Sequence, residues 1–221
     1  MSRVVVLQIV ARAAGSFYEE LPLHVVSGLA HLLAWLLIVP GPLMLSGVYA
    51  IGQKAVRGIG ATWSAVWSGV REFGGRSLLL AGVIVAGYAI VAGNLWFYNT
   101  PGLSPFPATV TSVATPLFAL LGLVWTGIAF YAQSFLMELE RPGLRAALRN
   151  SFYLTAGRPL QTLFLVFVAL IALAISLAIP LLLVLLPGFL STLSLTAVRT
   201  LVAGAAQESS KGSVGGPERE A

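Results

Sequence analysis

Long apolar runs alternate with short clusters of charge along this chain, and that pattern by itself predicts helices that cross a membrane. Residues 78–97 form the cleanest run, with about the 20 residues needed to cross a hydrocarbon core of about 30 Å at about 1.5 Å per residue. Residues 21–39 predict an earlier span, ended by Pro40-Gly41-Pro42. Residues 43–57 are apolar only as far as Gly52, before Gln53 and Lys54, so they predict a short segment. It either crosses while shielded by neighbours or dips in and returns. Residues 110–137 are overlong for one crossing, and residues 160–198 hold two spans joined by a turn at Pro180 or at Pro187-Gly188. A turn at Pro180 lets Arg199 reach the aqueous interface, whereas the later turn leaves it near mid-membrane, where charge is costly.

Charge orients these spans. Residues 138–160 place Arg141, Arg145, Arg149 and Arg158 between two apolar runs, and short Lys/Arg-rich loops stay on the cytoplasmic side. Within that loop Pro142 can open a helix on which Leu144, Ala147, Leu148 and Phe152 recur at helical spacing. A solvated linker is the alternative; the periodicity favours an amphipathic helix on the inner surface. A second such helix is predicted over residues 61–73, where Trp63, Val66, Trp67, Val70 and Phe73 share a face suited to the interface. Gly75-Arg76-Ser77-Leu78 and Gly157-Arg158-Pro159-Leu160 then open the following spans as a weak internal repeat. Two parallel copies require residues 43–57 to cross. The fold read from this pattern is an all-α polytopic membrane bundle with six membrane segments, the second short, and two amphipathic inner-surface helices. Residues 1–20 are an uncleaved cytoplasmic surface segment, residues 21–205 the membrane domain, and residues 206–221 a disordered cytoplasmic tail. A five-span arrangement with an outside N-terminus is the alternative.

Composition excludes several kinds of chemistry. With 57% hydrophobic residues, 10% charged and a mean hydropathy of +0.90, the chain is too apolar for an ordinary soluble domain. Its net charge of +5 lies between apolar runs rather than on one surface, so it points to anionic lipid and not to nucleic acid. Cysteine and aspartate are both missing, which removes disulfides, thiolate chemistry and Cys-based metal sites. No charged residue lies between Ser77 and Met137 or between Pro159 and Val198. His24 and His31, with Ser27 between them and Trp35 a turn beyond, form one stripe on the first span. They could line a polar cavity, or His24 could take a metal with Glu20. The favoured reading is structural, with hydrogen bonds between helices, because no third ligand is evident. Gln133 and Ser134, with Asn94 and Tyr98 at the other end, could bind a neutral hydroxylated ligand; such residues more often bridge helices. Gly82, Gly87, Gly93, Gly122 and Gly127 suggest close helix packing, and no nucleotide motif is present. No catalytic, cofactor or metal residue is assigned.

Several stretches in order resemble the YesL-like family (DUF624 domain) of bacterial membrane proteins. They are His31-Leu32-Leu33-Ala34-Trp35-Leu36-Leu37 with Pro40-Gly41-Pro42, Tyr49, Arg57-Gly58, and Asn94-Leu95-Trp96-Phe97-Tyr98. Glu140-Arg141-Pro142, Ala147-Leu148-Arg149-Asn150 and Arg158-Pro159-Leu160 follow. The chain departs from that pattern at His31, where members usually carry Asn before the tryptophan, and in lacking a Thr-x-Gly-Pro turn. The resemblance implies a multi-pass protein of the bacterial cytoplasmic membrane, non-enzymatic and accessory to carbohydrate uptake or utilisation. Its partners would be the bilayer, transporter subunits or a second copy. A small permease for a neutral solute is the alternative function.

Overall fold

In a computed structural model of the chain, residues 2–35, 40–100, 102–103, 105–139 and 143–214 are described. The expected end of the first span at Val39, and Glu140, Arg141 and Pro142 of the basic loop, lie outside them. The order is α1 Ser2–Glu19, α2 Leu21–Trp35, α3 Pro40–Val56, α4 Trp63–Asn99, α5 Ala108–Glu138, α6 Leu144–Gly157, α7 Pro159–Ala178, a 3₁₀ turn Pro180–Leu183, and α8 Leu186–Val214. The described residues contain no strand. Among the described residues four helices, α4, α5, α7 and α8, are long and apolar enough to cross a membrane.

The largest departure from the sequence pattern is α4. A separate surface helix over residues 61–73 is not formed, because it runs without a break into the following span as one helix of 37 residues. The near-repeat explains why. Ser77 keeps its backbone N–H and continues the helix, whereas Pro159 has none and disfavours a helical residue before it. The chain therefore breaks at Arg158 (φ −135°, ψ 58°), and Pro159 opens α7. At about 1.5 Å per residue α4 is about 55 Å long, so its first turns project beyond a hydrocarbon core of about 30 Å. Its N-terminal part buries Ala65, Val66, Gly69 and Gly74 against α3. Trp63 and Trp67 are exposed and meet edge to face, with centroids 6.3 Å apart. Phe73 does not join them: it packs inward near Tyr49, Ala50, Met137 and Leu195.

The amphipathic helix expected in the basic loop is present as α6, rotated from the predicted face. It buries Ala147, Ser151, Leu154 and Thr155, with Leu144 and Leu148 partly covered, and exposes Phe152. The rotation follows from close packing on α5, where Gly127 lies against the Thr155 and Thr162 methyl groups. The N-terminal segment is likewise more than a surface strip: Val6, Ile9 and Ala13, spaced three and four apart, are buried in the main core. That core also draws Tyr131 and Leu136 from α5, Leu165 from α7 and Leu193, Ala197 and Leu201 from α8. It therefore sits toward the basic end. Beyond Leu80 on α4 and before Gly127 on α5 none of the described residues is buried, and the two helices run on as a hairpin.

α3, at 17 residues, is the most enclosed element. Ser46 through Gly52 are all buried beneath α2, α4 and α8, as a short segment shielded by neighbours requires. Between α7 and α8 the turn uses both prolines, Pro180 opening the 3₁₀ turn and Pro187 lying in the first turn of α8. Arg199 then lies about 20 Å along α8. α8 itself continues to Val214, into the stretch whose composition predicts disorder, because Ala203, Ala205, Ala206 and Gln207 are strong helix formers.

Candidate functional site

A cavity of about 470 Å³ lies where α2, α3, α4, α5, α7 and α8 converge, within the size range of small-molecule sites. Most of its wall is aliphatic, from Leu45, Val166, Leu170, Leu173, Leu186 and Leu190 among others. Five side chains bring polar atoms to it: His31, Trp35, Tyr49, Tyr88 and Thr126. Trp35, Tyr88, Leu170 and Leu173 are more than a third exposed, so the cavity opens on the apolar flank of the bundle.

The hydrogen bonds decide what this wall can offer. Trp35 Nε1 donates to His31 Nε2 at 2.9 Å, so Nε2 accepts and the neutral ring carries its proton on Nδ1. That Nδ1 is buried, with the Gly41 backbone of α3 beside the ring. Tyr88 Oη donates to Thr126 Oγ1 at 3.1 Å, and Thr126 donates to the Gly122 carbonyl at 2.8 Å. Ser194 Oγ lies 2.9 Å from the Leu190 carbonyl and receives the Ser134 hydroxyl at 2.8 Å. Its one proton is thus used, and Tyr49 Oη, 3.1 Å away, donates to it as well. The tyrosine and threonine protons are all committed, and their oxygens keep lone pairs. The cavity therefore presents two phenol acceptors and the edge of the His31 ring in an apolar setting. A neutral molecule, or group, with a hydroxyl among apolar atoms matches it.

The residues singled out from sequence separate in space. The histidine stripe faces the interior as expected, with His24 fully buried and His31 95% so, but only His31 reaches the cavity. His24 is stacked on Phe17 at 4.9 Å and packed against Gly188. His31 is bonded to Trp35 within its own helix and has the Gly41 backbone of α3 beside it, whereas neither His24 nitrogen has a partner among the described residues. Glu20 accepts the Ala61 backbone N–H at 3.0 Å. Among the described residues no three His, Cys, Asp or Glu side chains gather as a metal site. Gln133 bridges α5 to α4 by donating to Ser77 Oγ at 2.7 Å, and Ser134 bridges to α8. Asn94 Nδ2 turns back to the Ile90 carbonyl at 2.8 Å, and Tyr98 stacks on Phe118. Those four form no common site.

Comparison with protein-family models, curated proteins and solved structures gives no match for this chain. Its chemistry is therefore read from its own geometry. What sequence reading missed is Tyr49, Tyr88 and Thr126, together with the cluster on Glu138 at the basic end. Arg199 Nη2 lies 2.9 and 3.0 Å from the two Glu138 oxygens, Arg57 lies 3.4 Å away, and Gln53 Nε2 donates to Glu138 at 3.1 Å. The period-2 spacing of hydroxyls at Thr192, Ser194 and Thr196 on α8 is a signal in the sequence, though one read more readily as a β pattern.

The two histidines should respond oppositely to removal. His24→Leu replaces a buried, unpartnered polar ring with an apolar group of similar size and is expected to leave stability unchanged or raise it by about 1 kcal/mol. His31→Leu strands the half-exposed Trp35 Nε1 and is expected to lose up to about 1 kcal/mol. Thermal unfolding of the two purified variants in detergent checks this; a large loss for His24→Leu would show that its ring has partners.

Proposed function

We propose that the chain is a multi-pass membrane protein that works by binding, as a non-enzymatic accessory component of a solute-uptake or utilisation system. The observation that supports this is the cavity's opening on the apolar flank, among side chains that would face lipid or another membrane protein. A ligand arriving there comes from within the membrane. The polar bridges Gln133–Ser77, Tyr131–Thr162 and Ser134–Ser194 tie α4, α5, α7 and α8 together, which suits a body that docks rather than one that rocks. The resemblance to YesL-like proteins supports the link to carbohydrate use. A photo-crosslinking residue at Leu173 tests the proposal. Capture of transporter subunits supports it; solute flux through the purified protein alone in vesicles would replace it with the second reading, a small permease for a neutral hydroxylated solute, which the Tyr49 and Tyr88 acceptors in the cavity favour.

The arrangement we propose has six segments, α2, α3, α4, α5, α7 and α8, with α6, the start of α4 and both termini on the cytoplasmic side of a bacterial inner membrane. α2 is described over 15 residues and α3 over 17, and enclosure by the four longer helices allows both to cross. Reporter fusions after Arg57, Pro105, Arg149 and Gln207 are expected to be cytoplasmic, exported, cytoplasmic and cytoplasmic. An exported reporter at Arg57 or Arg149 sinks the arrangement, and an outside N-terminus alone restores five spans.

A further inference from the structure

At the basic end, well away from the His31 cavity and sharing no lining residue with it, a cleft of about 340 Å³ opens between α1 and α8. Arg12, Ser16 and Glu19 line it from α1 at i, i+4 and i+7, and Thr196, Arg199 and Thr200 from α8 at i, i+3 and i+4. These spacings put each trio on one helix face. Gly15 adds no side chain to the floor.

The polar inventory here is a set of donors in search of an acceptor. Arg199 satisfies Glu138 through Nη2, while its Nε is buried without a partner among the described residues. Thr196 is 96% buried, and its Oγ1 has no partner there either. Arg12 makes no ion pair with any described residue, Glu19 included. Buried donors left unmatched are costly, so the same cleft holds two side chains whose chemistry calls for a bound acceptor. Local charge agrees in sign: Arg12, Arg57 and Arg199 outweigh Glu138 and Glu19 by one. Glu19 is exposed, and its carboxylate opposes an anion only at the rim.

We infer that this cleft binds a phosphate group, with Arg12 and Arg199 supplying charge and Thr196 a hydroxyl donor. Phosphate offers several acceptor oxygens to donors on two sides, and guanidinium groups match that geometry. The group belongs either to the headgroup of an anionic phospholipid or to a free phosphate compound. Only the lipid source depends on the membrane reading.

Protein purified in an uncharged detergent is examined by native mass spectrometry with added phosphatidylglycerol or phosphatidylcholine, and by thermal unfolding with inorganic phosphate. One retained phosphatidylglycerol, preferred over phosphatidylcholine, identifies the lipid source. Stabilisation by inorganic phosphate without lipid retention identifies the free one. In either case Arg12→Gln and Thr196→Val are expected to weaken binding by about tenfold or more. Thr196→Ser keeps the hydroxyl and should bind as the parent does, which decides the matter if Arg12→Gln does not fold. Arg145→Gln, an exposed arginine on α6, is the charge control. No binding of either probe overturns the inference, as does equal weakening by Arg145→Gln or indifference to Thr196→Val.

Discussion

Glu138→Gln is expected to destabilise the protein by about 2 kcal/mol, because it removes a carboxylate on which α3, α5 and α8 converge. Losing one partner of a fully buried pair costs about 3–5 kcal/mol. Here the Glu138 and Arg199 side chains are 16% and 29% exposed, which places the effect below that range. Arg57 is 43% exposed at 3.4 Å, and such a pair contributes about 0–1 kcal/mol. Arg57→Gln should accordingly change little. The discriminating measurement is a double-mutant cycle by chemical unfolding in mixed micelles. Glu138→Gln and Arg199→Gln should fall short of additivity by about 1–2 kcal/mol. Additive losses, or an Arg57→Gln effect as large as that of Arg199→Gln, would refute this reading of the cluster.

The same cluster shows what a sequence carries openly and what it hides. Glu138 and Arg199 are 61 positions apart, and nothing local to either predicts the other. What was legible is that Arg199 needs an aqueous end or a partner; the choice between the two turns was not, since the connection runs from Pro180 to Pro187. The Trp35 to His31 bond is an i, i+4 contact and could be read from spacing. The cavity could not, since its wall combines residues from six helices. The continuity of α4 was legible in principle, from Ser77 standing where the second repeat has Pro159. Composition misled there, because Gly74-Gly75 and two arginines resemble an end, whereas helical backbone tolerates adjacent glycines when a neighbour packs on them: Leu43 lies against Gly74. Residues 1–20 read as a surface segment from sequence, yet Val6, Ile9 and Ala13 share one face of α1 and reach the core.

Glycines make the last and sharpest contrast, because several look interchangeable in sequence and are expected to differ in sign. An added Cβ at Gly28 would collide with the Val184 carbonyl, where α2 passes the turn before α8. Backbone cannot rotate away, so Gly28→Ala is expected to cost about 3 kcal/mol or to prevent folding. At Gly87 the obstacle is the Trp125 ring. That ring could swing only by giving up the bond from its Nε1 to the Ile84 carbonyl at 3.1 Å, so Gly87→Ala should cost about 1–3 kcal/mol. Gly82 and Gly93 lie on the same helix as Gly87, yet a Cβ at either meets nothing within 4 Å. Alanine there gains helix propensity without a clash, and each change is expected to stabilise by up to about 1 kcal/mol. Unfolding of the four single variants in one detergent gives the order directly. A loss at Gly82 or Gly93 comparable to that at Gly87 would mean that another chain covers that face of α4. Tolerance at Gly28 would mean that α2 does not pass so close to the turn, and the wall of the cavity would then need to be redrawn.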